Sequence, residues 1–216
     1  MCRYAEARGS PPAPTDKLGS AEVLLEGMRE ANVQGFMIVQ PIFHGFDHSY
    51  VTHCIEKYPA PFKAMLLIDP TLSVEAAVAE VRRLHAAGYI GVRINSGQWS
   101  NKGTQIDDEV GRAVFAVCGE LGMTAGILCG GFADQAATIE SLAVDFPGTD
   151  IVIDHFAGVL PGADGWLELV ALSKYSNVYV KVSGWCEKPQ SVQSVRQTAP
   201  ARLSRTCMLQ PDVGSS

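Results

Sequence analysis

The chain alternates between two textures. Short apolar runs rich in β-branched residues stand at 35–39 (GFMIV), 62–68 (FKAMLLI), 90–94 (IGVRI), 123–128 (MTAGIL), 151–155 (IVIDH) and 178–182 (VYVKV). Each is apolar at odd and even positions alike, as a strand covered on both faces must be. Successive runs begin about 27 to 33 residues apart, the length of one strand–helix unit. Between them lie segments of helical period. Residues 20–31 form one. Ser73 precedes VEAAVAEVRRLHAAG as its N-cap, with Glu75 and Glu80 toward the start, Arg82 and Arg83 late, and Gly88 as the stop. Residues 107–121 end at Gly122, residues 133–146 end at Pro147 and Gly148, and residues 165–173 make a shorter helix. The pattern predicts one helix followed by six strands with helices between them.

Repeated strand–helix units imply a parallel sheet, either open and doubly wound or closed as a (β/α)8 barrel. A complete barrel of such units takes roughly 225–250 residues. Here residues 20–184 carry six strands. Gly126, Gly130 and Gly131 do not form G-x-G-x-x-G, and no G-x-x-x-x-G-K-[ST] occurs, which argues against nucleotide binding.

Composition narrows the field further. Of the 216 residues, 47% are hydrophobic and 19% charged, enough for a full core. The formal net charge is −6 without a basic cluster, so no nucleic-acid partner is expected. No apolar run reaches ~18 residues, so no membrane partner is expected. Residues 1–20 lack the apolar stretch of a secretory signal. Six scattered cysteines without a C-x-x-C pair suit a reducing compartment, and a cytoplasmic location is expected. Residues 185–216 break the pattern, with isolated apolar residues and a charge of about +2 against about −8 for the rest. This tail reads as disordered and outside the fold.

In such folds the chemistry lies at the C-terminal ends of the strands. Gln40 ends the first run and opens a polar loop holding His44, Asp47 and His48. Those are metal-ligand types, but Pro41 and Gly45 favour a loop lining the mouth, and no metal is assigned. His53 and His85 read as surface residues on helices. Arg93 lies inside an apolar strand. It either meets a structural carboxylate inside the barrel or clamps an anionic group of a substrate. Lys181 poses the same question. Cys129 is a nucleophile or, more simply, core filler. Asp154 and His155 end the fifth run, where only one of two neighbours on a strand can enter a barrel. His155 is the chosen catalytic candidate, against the plain alternative of a histidine satisfied by its neighbours. Ser183 and Gly184 suit a strand-end loop near a ligand.

Several segments together resemble the amidohydrolase-related (amidohydrolase 2) family, which includes 2-pyrone-4,6-dicarboxylate lactonase and related decarboxylases. They are Arg3-Tyr4 before a Pro-rich stretch, VQGFMIVQP with the G-x-D loop after it, LHAAGYIGVRIN (84–95), IVIDHFAG (151–158) and NVYVKVSG (177–184). The resemblance covers residues 3–184. It implies a (β/α)8 barrel acting as a hydrolase on a small carboxylated lactone or similar carbonyl compound. His155 matches a histidine that polarises the substrate carbonyl or assists proton transfer. Arg93 matches an arginine that binds a substrate carboxylate, and Tyr4 a substrate-binding tyrosine. Gln40, Lys181 and Ser183 complete the expected substrate-binding set.

The resemblance also implies what is missing. Family chains open with a strand bearing His-x-His and close with an eighth strand bearing Asp. Neither is present, so the expected architecture is an incomplete barrel with strands 2–7 present and strands 1 and 8 missing. Cys129 stands near the place where metal-dependent members carry a histidine. A divalent metal such as zinc is therefore expected only in a full-length form, and catalysis in this chain is expected to be impaired. Organellar targeting stays open if an N-terminal segment is missing. The alternatives are an inactive module binding small carboxylates, or a non-functional fragment. Two open sheet edges predict association between copies.

Overall fold

The computed structural model describes residues 19–159 and 161–182. Tyr4, Ser183 and the 185–216 tail lie outside the described residues. The described part is one six-stranded parallel sheet in the order β1 (Phe36–Val39), β2 (Phe62–Leu67), β3 (Tyr89–Asn95), β4 (Thr124–Leu128), β5 (Ile151–Ile153) and β6 (Val178–Val180). Sequential order without reversal excludes the doubly wound arrangement, whose order turns back at a switch point. The sheet is an arc of a (β/α)8 barrel, with β1 and β6 as its edges among the described residues.

The helices are α1 (Ala21–Glu30), α2 (Ser49–Lys57), α3 (Val74–Ala86), α4 (Ser96–Lys102), α5 (Glu109–Leu121), α6 (Phe132–Asp145) and α7 (Trp166–Ala171). Their ends follow from the residues there. Ser20 caps α1 by accepting from the Val23 N–H, and Ser73 caps α3 by accepting from the Ala76 N–H. Asp108, one residue inside the predicted start, caps α5 by accepting from the Gly111 N–H at 2.9 Å. The same carboxylate accepts from Trp99 Nε1, Lys102 Nζ and Thr104 Oγ1. Partial burial pushes the Asp108 carboxyl up, but these four donors outweigh it and hold the group at about 2.

One face of the arc packs against the helices. Ala64, Leu66 and Ile68, then Val92 and Ile94, Ala125 and Ile127, and Ile151 and Ile153 meet Val81, Leu84, Val114, Phe115, Ile139 and Leu142 in one buried cluster. The alternate positions form the inner face. Met65 fills its floor: a Cβ at Gly91 or Gly126 would lie 2.8 or 2.7 Å from Met65 Cε. Strand periodicity therefore puts Arg93 and Asn95 on the inner face with Gly91, and leaves Val92 and Ile94 against the helices.

His48 shows how the edge of the arc is secured. β1 stops at Val39, opposite Met65, so it has no carbonyl for the Leu67 N–H. The buried His48 ring supplies the acceptor, its Nε2 lying 3.1 Å from that nitrogen. Nε2 is thus unprotonated. Burial holds the His48 imidazole below its ordinary value, partly offset by Glu80. The sign follows directly. The neutral form fits the fold, so this stability is complete above the ordinary value of 6.5 and is lost as the pH falls below it. A His48→Leu variant leaves the Leu67 N–H unpaired and is expected to lose about 1–3 kcal/mol. Urea midpoints at pH 8 and pH 5 check this. The wild type should lose stability on acidification, and an equal loss in His48→Leu would exclude His48 as the cause.

Candidate functional site

The C-terminal ends of β3, β5 and β6 converge on one carboxylate. Asp154 directly follows β5 and is 5% exposed. Its Oδ2 lies 2.9 Å from Arg93 Nη2, and its Oδ1 lies 2.8 Å from Lys181 Nζ. Register explains the meeting. Arg93 faces Gly126, which faces Val152, which faces Tyr179. Asp154 and Lys181 stand two residues further on, one row above. Backbone bonds from the Lys181 N–H to the Ile153 carbonyl and from the Phe156 N–H to the Lys181 carbonyl lock the two segments together.

Of the two roles open to Arg93, the structural carboxylate is present, and it is Asp154. The cluster still carries a surplus charge, two cations on one anion. The Arg93 Nε is buried without a hydrogen-bond partner. Exposure rises outward, from 6% for the Asp154 side chain to 14% for Arg93 and 25% for Lys181.

His155 is placed differently from the sequence expectation. β5 ends at Ile153, so neither Asp154 nor His155 is a strand residue. His155, Phe156 and Ala157 have φ of 53°, 52° and 56°, a left-handed turn of three non-glycine residues. Such backbone costs of order 1–3 kcal/mol per residue and clusters at functional sites. Buried Phe156 and Ala157 hold it in place. Ile153 faces the helices, so the inner-face row continues to Asp154, and His155 lies in the turn beyond it. Lys181 likewise stands just past β6, where the sequence predicted a strand to Val182.

Gln40 is fully buried. Its Nε2 donates to the carbonyls of Gly45 at 3.3 Å and Asp47 at 2.8 Å. Its amide donors brace the 41–47 loop, while its Oε1 has no hydrogen-bond partner. His53 is exposed as expected, whereas His85 is half-buried rather than solvent-facing. A groove of about 380 Å³ between α2 and α3, lined in part by His48, His53, Glu56 and Arg83, shares no residue with the Asp154 cluster.

A metal does not fit the described residues. No group of three or more His, Cys, Asp or Glu among them could hold one. The Asp154 oxygens each face a cation, and His48 Nε2 is engaged by Leu67. Burial, reinforced by Asp154, pushes the Cys129 thiol up to about 12. That thiol is protonated at neutral pH, a poor metal ligand and a poor nucleophile.

A sheet arc in barrel order, with charged side chains gathered at its strand ends, defines a (β/α)8-type protein. The chain belongs to the amidohydrolase family, whose model matches residues 4–204. Similar solved structures include a probable 2-pyrone-4,6-dicarboxylic acid hydrolase from Acinetobacter baumannii with citric acid bound. It is 19% identical with a TM-score of 0.69, over 88% of this chain and 71% of that one. A candidate 2-pyrone-4,6-dicarboxylic acid hydrolase from Pseudomonas putida is 26% identical with a TM-score of 0.60, over 76% of this chain and 58% of that one. A 2,6-dihydroxybenzoate decarboxylase, complexed with 2,6-dihydroxybenzoate, is 15% identical with a TM-score of 0.60, over 80% of this chain and 74% of that one. No curated protein sequence matches. Among the described residues, no helix is long and apolar enough to cross a membrane.

Proposed function

We propose that the chain acts on a small carboxylated lactone or similar carbonyl compound, with hydrolysis as its reaction. The observation that carries this reading is the surplus positive charge of Arg93 and Lys181 around Asp154 at the strand ends. In this reading the two cations hold a carboxylate of the substrate. His155, in the strained turn beside them, polarises the carbonyl or moves the proton. Water adds to the carbonyl carbon, the ring C–O bond breaks, and the departing oxygen takes a proton. The products are one new carboxylic acid and one hydroxyl. Tyr4 and Ser183 complete the substrate-binding set, and Gln40 acts by shaping the loop. The domain extends over 1–184 in this proposal.

A second reading is carboxylate binding without turnover. It is favoured by Asp154, the carboxylate of the cluster, being held by two cations and so poorly placed to act as a base. One experiment separates the two. The 216-residue chain is incubated with 2-pyrone-4,6-dicarboxylate and ring opening is followed by absorbance. Turnover that falls about 100-fold or more in His155→Ala supports hydrolysis. Saturable binding with no ring opening supports the second reading, and the absence of binding sinks both.

A further inference from the structure

We propose that Asp154 is the specificity-determining residue of this site. Its single buried carboxylate cancels one of the two cations, so the mouth presents one surplus positive charge and accepts one carboxylate group rather than a cluster of them. This rests on the reading that Arg93 and Lys181 meet a carboxylated molecule.

The geometry supports this role in three ways. First, Asp154 engages one cation with each oxygen, Arg93 through Oδ2 and Lys181 through Oδ1. The two cations are therefore spaced by the width of one carboxylate and held apart against their mutual repulsion. Second, the Asp154 side chain is the most buried of the three and the cations are the more exposed. A ligand docks on the outer faces of the cations while Asp154 stays behind them as counter-ion. Third, Asp154 is anchored from two sides. β5 precedes it, and the turn after it is bonded to Lys181 through the Phe156 N–H and buried by Phe156 and Ala157. A carboxylate fixed in this way sets the local charge permanently, because it cannot swing aside when a ligand arrives.

The test is calorimetric titration of the full chain, at one ionic strength, with benzoate (one carboxylate) and citrate (three). Asp154→Asn keeps the shape and removes the negative charge. The site then carries two surplus charges, and the citrate-to-benzoate affinity ratio is expected to rise about tenfold. Asp154→Glu, which restores the charge, should return the ratio toward the wild type. Lys181→Met removes the surplus and should lower the ratio, which keeps the test decisive even where Asp154→Asn folds poorly. A ratio unchanged in Asp154→Asn and Lys181→Met, with only the melting temperature reduced, would overturn the proposal and leave Asp154 a structural counter-ion. A wild-type chain that binds neither ligand would overturn the carboxylate reading itself, and the proposal with it.

Discussion

Gly111→Ala is expected to remove about 2–4 kcal/mol of stability and to leave little soluble protein. The reason is the backbone beneath α5. A Cβ at Gly111 would stand 1.9 Å from the Ile106 carbonyl oxygen and 2.8 Å from its carbonyl carbon. No rotamer change relieves a contact with main-chain atoms. The 104–108 segment would have to move, and it cannot move freely. Ile106 is fully buried, and Asp108 is tied at once to Gly111, Trp99, Lys102 and Thr104. Overpacking of this kind costs about 1–3 kcal/mol, and a disrupted N-cap adds about 1. Against a total stability of about 5–15 kcal/mol that is a large loss. The exposed Gly27 is the internal control. It lies within α1, and nothing stands within 4 Å of its added Cβ. Gly27→Ala is expected to gain about 0.5–1 kcal/mol by helix propensity. Urea denaturation of the two variants should therefore move in opposite directions. A wild-type midpoint for Gly111→Ala would refute the close approach.

Much of the architecture was legible because the periodicity and spacing of the chain are physical consequences of the fold. Parallel strands buried on one face by helices must be apolar, and units of one strand and one helix must repeat at a regular interval. Ser73 announced its helix because an N-terminal turn needs an oxygen acceptor. Helix α4 was not foreseen. Its sequence, SGQWSNK, is polar, and only Ser96 and Trp99 are buried. Tertiary packing of Trp99 and its bond to Asp108 hold it, not any local period.

The site was half legible for a different reason. Arg93 and Lys181 stood out as charges within apolar runs, a cost that demands a partner. Which carboxylate meets them depends on where β5 ends and on the left-handed turn that follows. Neither the loss of strand geometry at Asp154 nor a positive φ at His155 has a local signal, since no glycine precedes Gly158 there. His155 was favoured as the last residue of the apolar run, whereas the strand stops at Ile153, and alternation continued from helix-facing Ile153 puts Asp154 on the inner face. The bracing of the loop by Gln40 was not legible either. A polar residue at a strand end suggests a ligand contact, but a loop bending back over the same strand offered carbonyls to its amide.

Asp154→Leu is expected to cost about 3–5 kcal/mol, the other large effect, because it leaves Arg93 and Lys181 side by side without their counter-ion. Arg93→Met should cost less, since Lys181 remains to face Asp154. Lys181→Met should cost least, since its head lies nearest water, where a lost charge is replaced by solvent. The informative variant is the triple one, Arg93→Met with Asp154→Leu and Lys181→Met. A buried ion cluster gains Coulomb energy but loses hydration, so an apolar set of similar volume is often as stable as the charged one. The triple variant should recover most of the stability lost in Asp154→Leu, and thermal unfolding gives that comparison directly. Carboxylate binding should vanish in the same protein, because no cation remains at the mouth. Recovery of stability together with loss of binding would mean the chain keeps three charges at these strand ends for recognition, at no advantage to its fold. A triple variant as unstable as Asp154→Leu would instead make the cluster a structural keystone, linking β3, β5 and β6 through bonds that apolar contacts cannot replace.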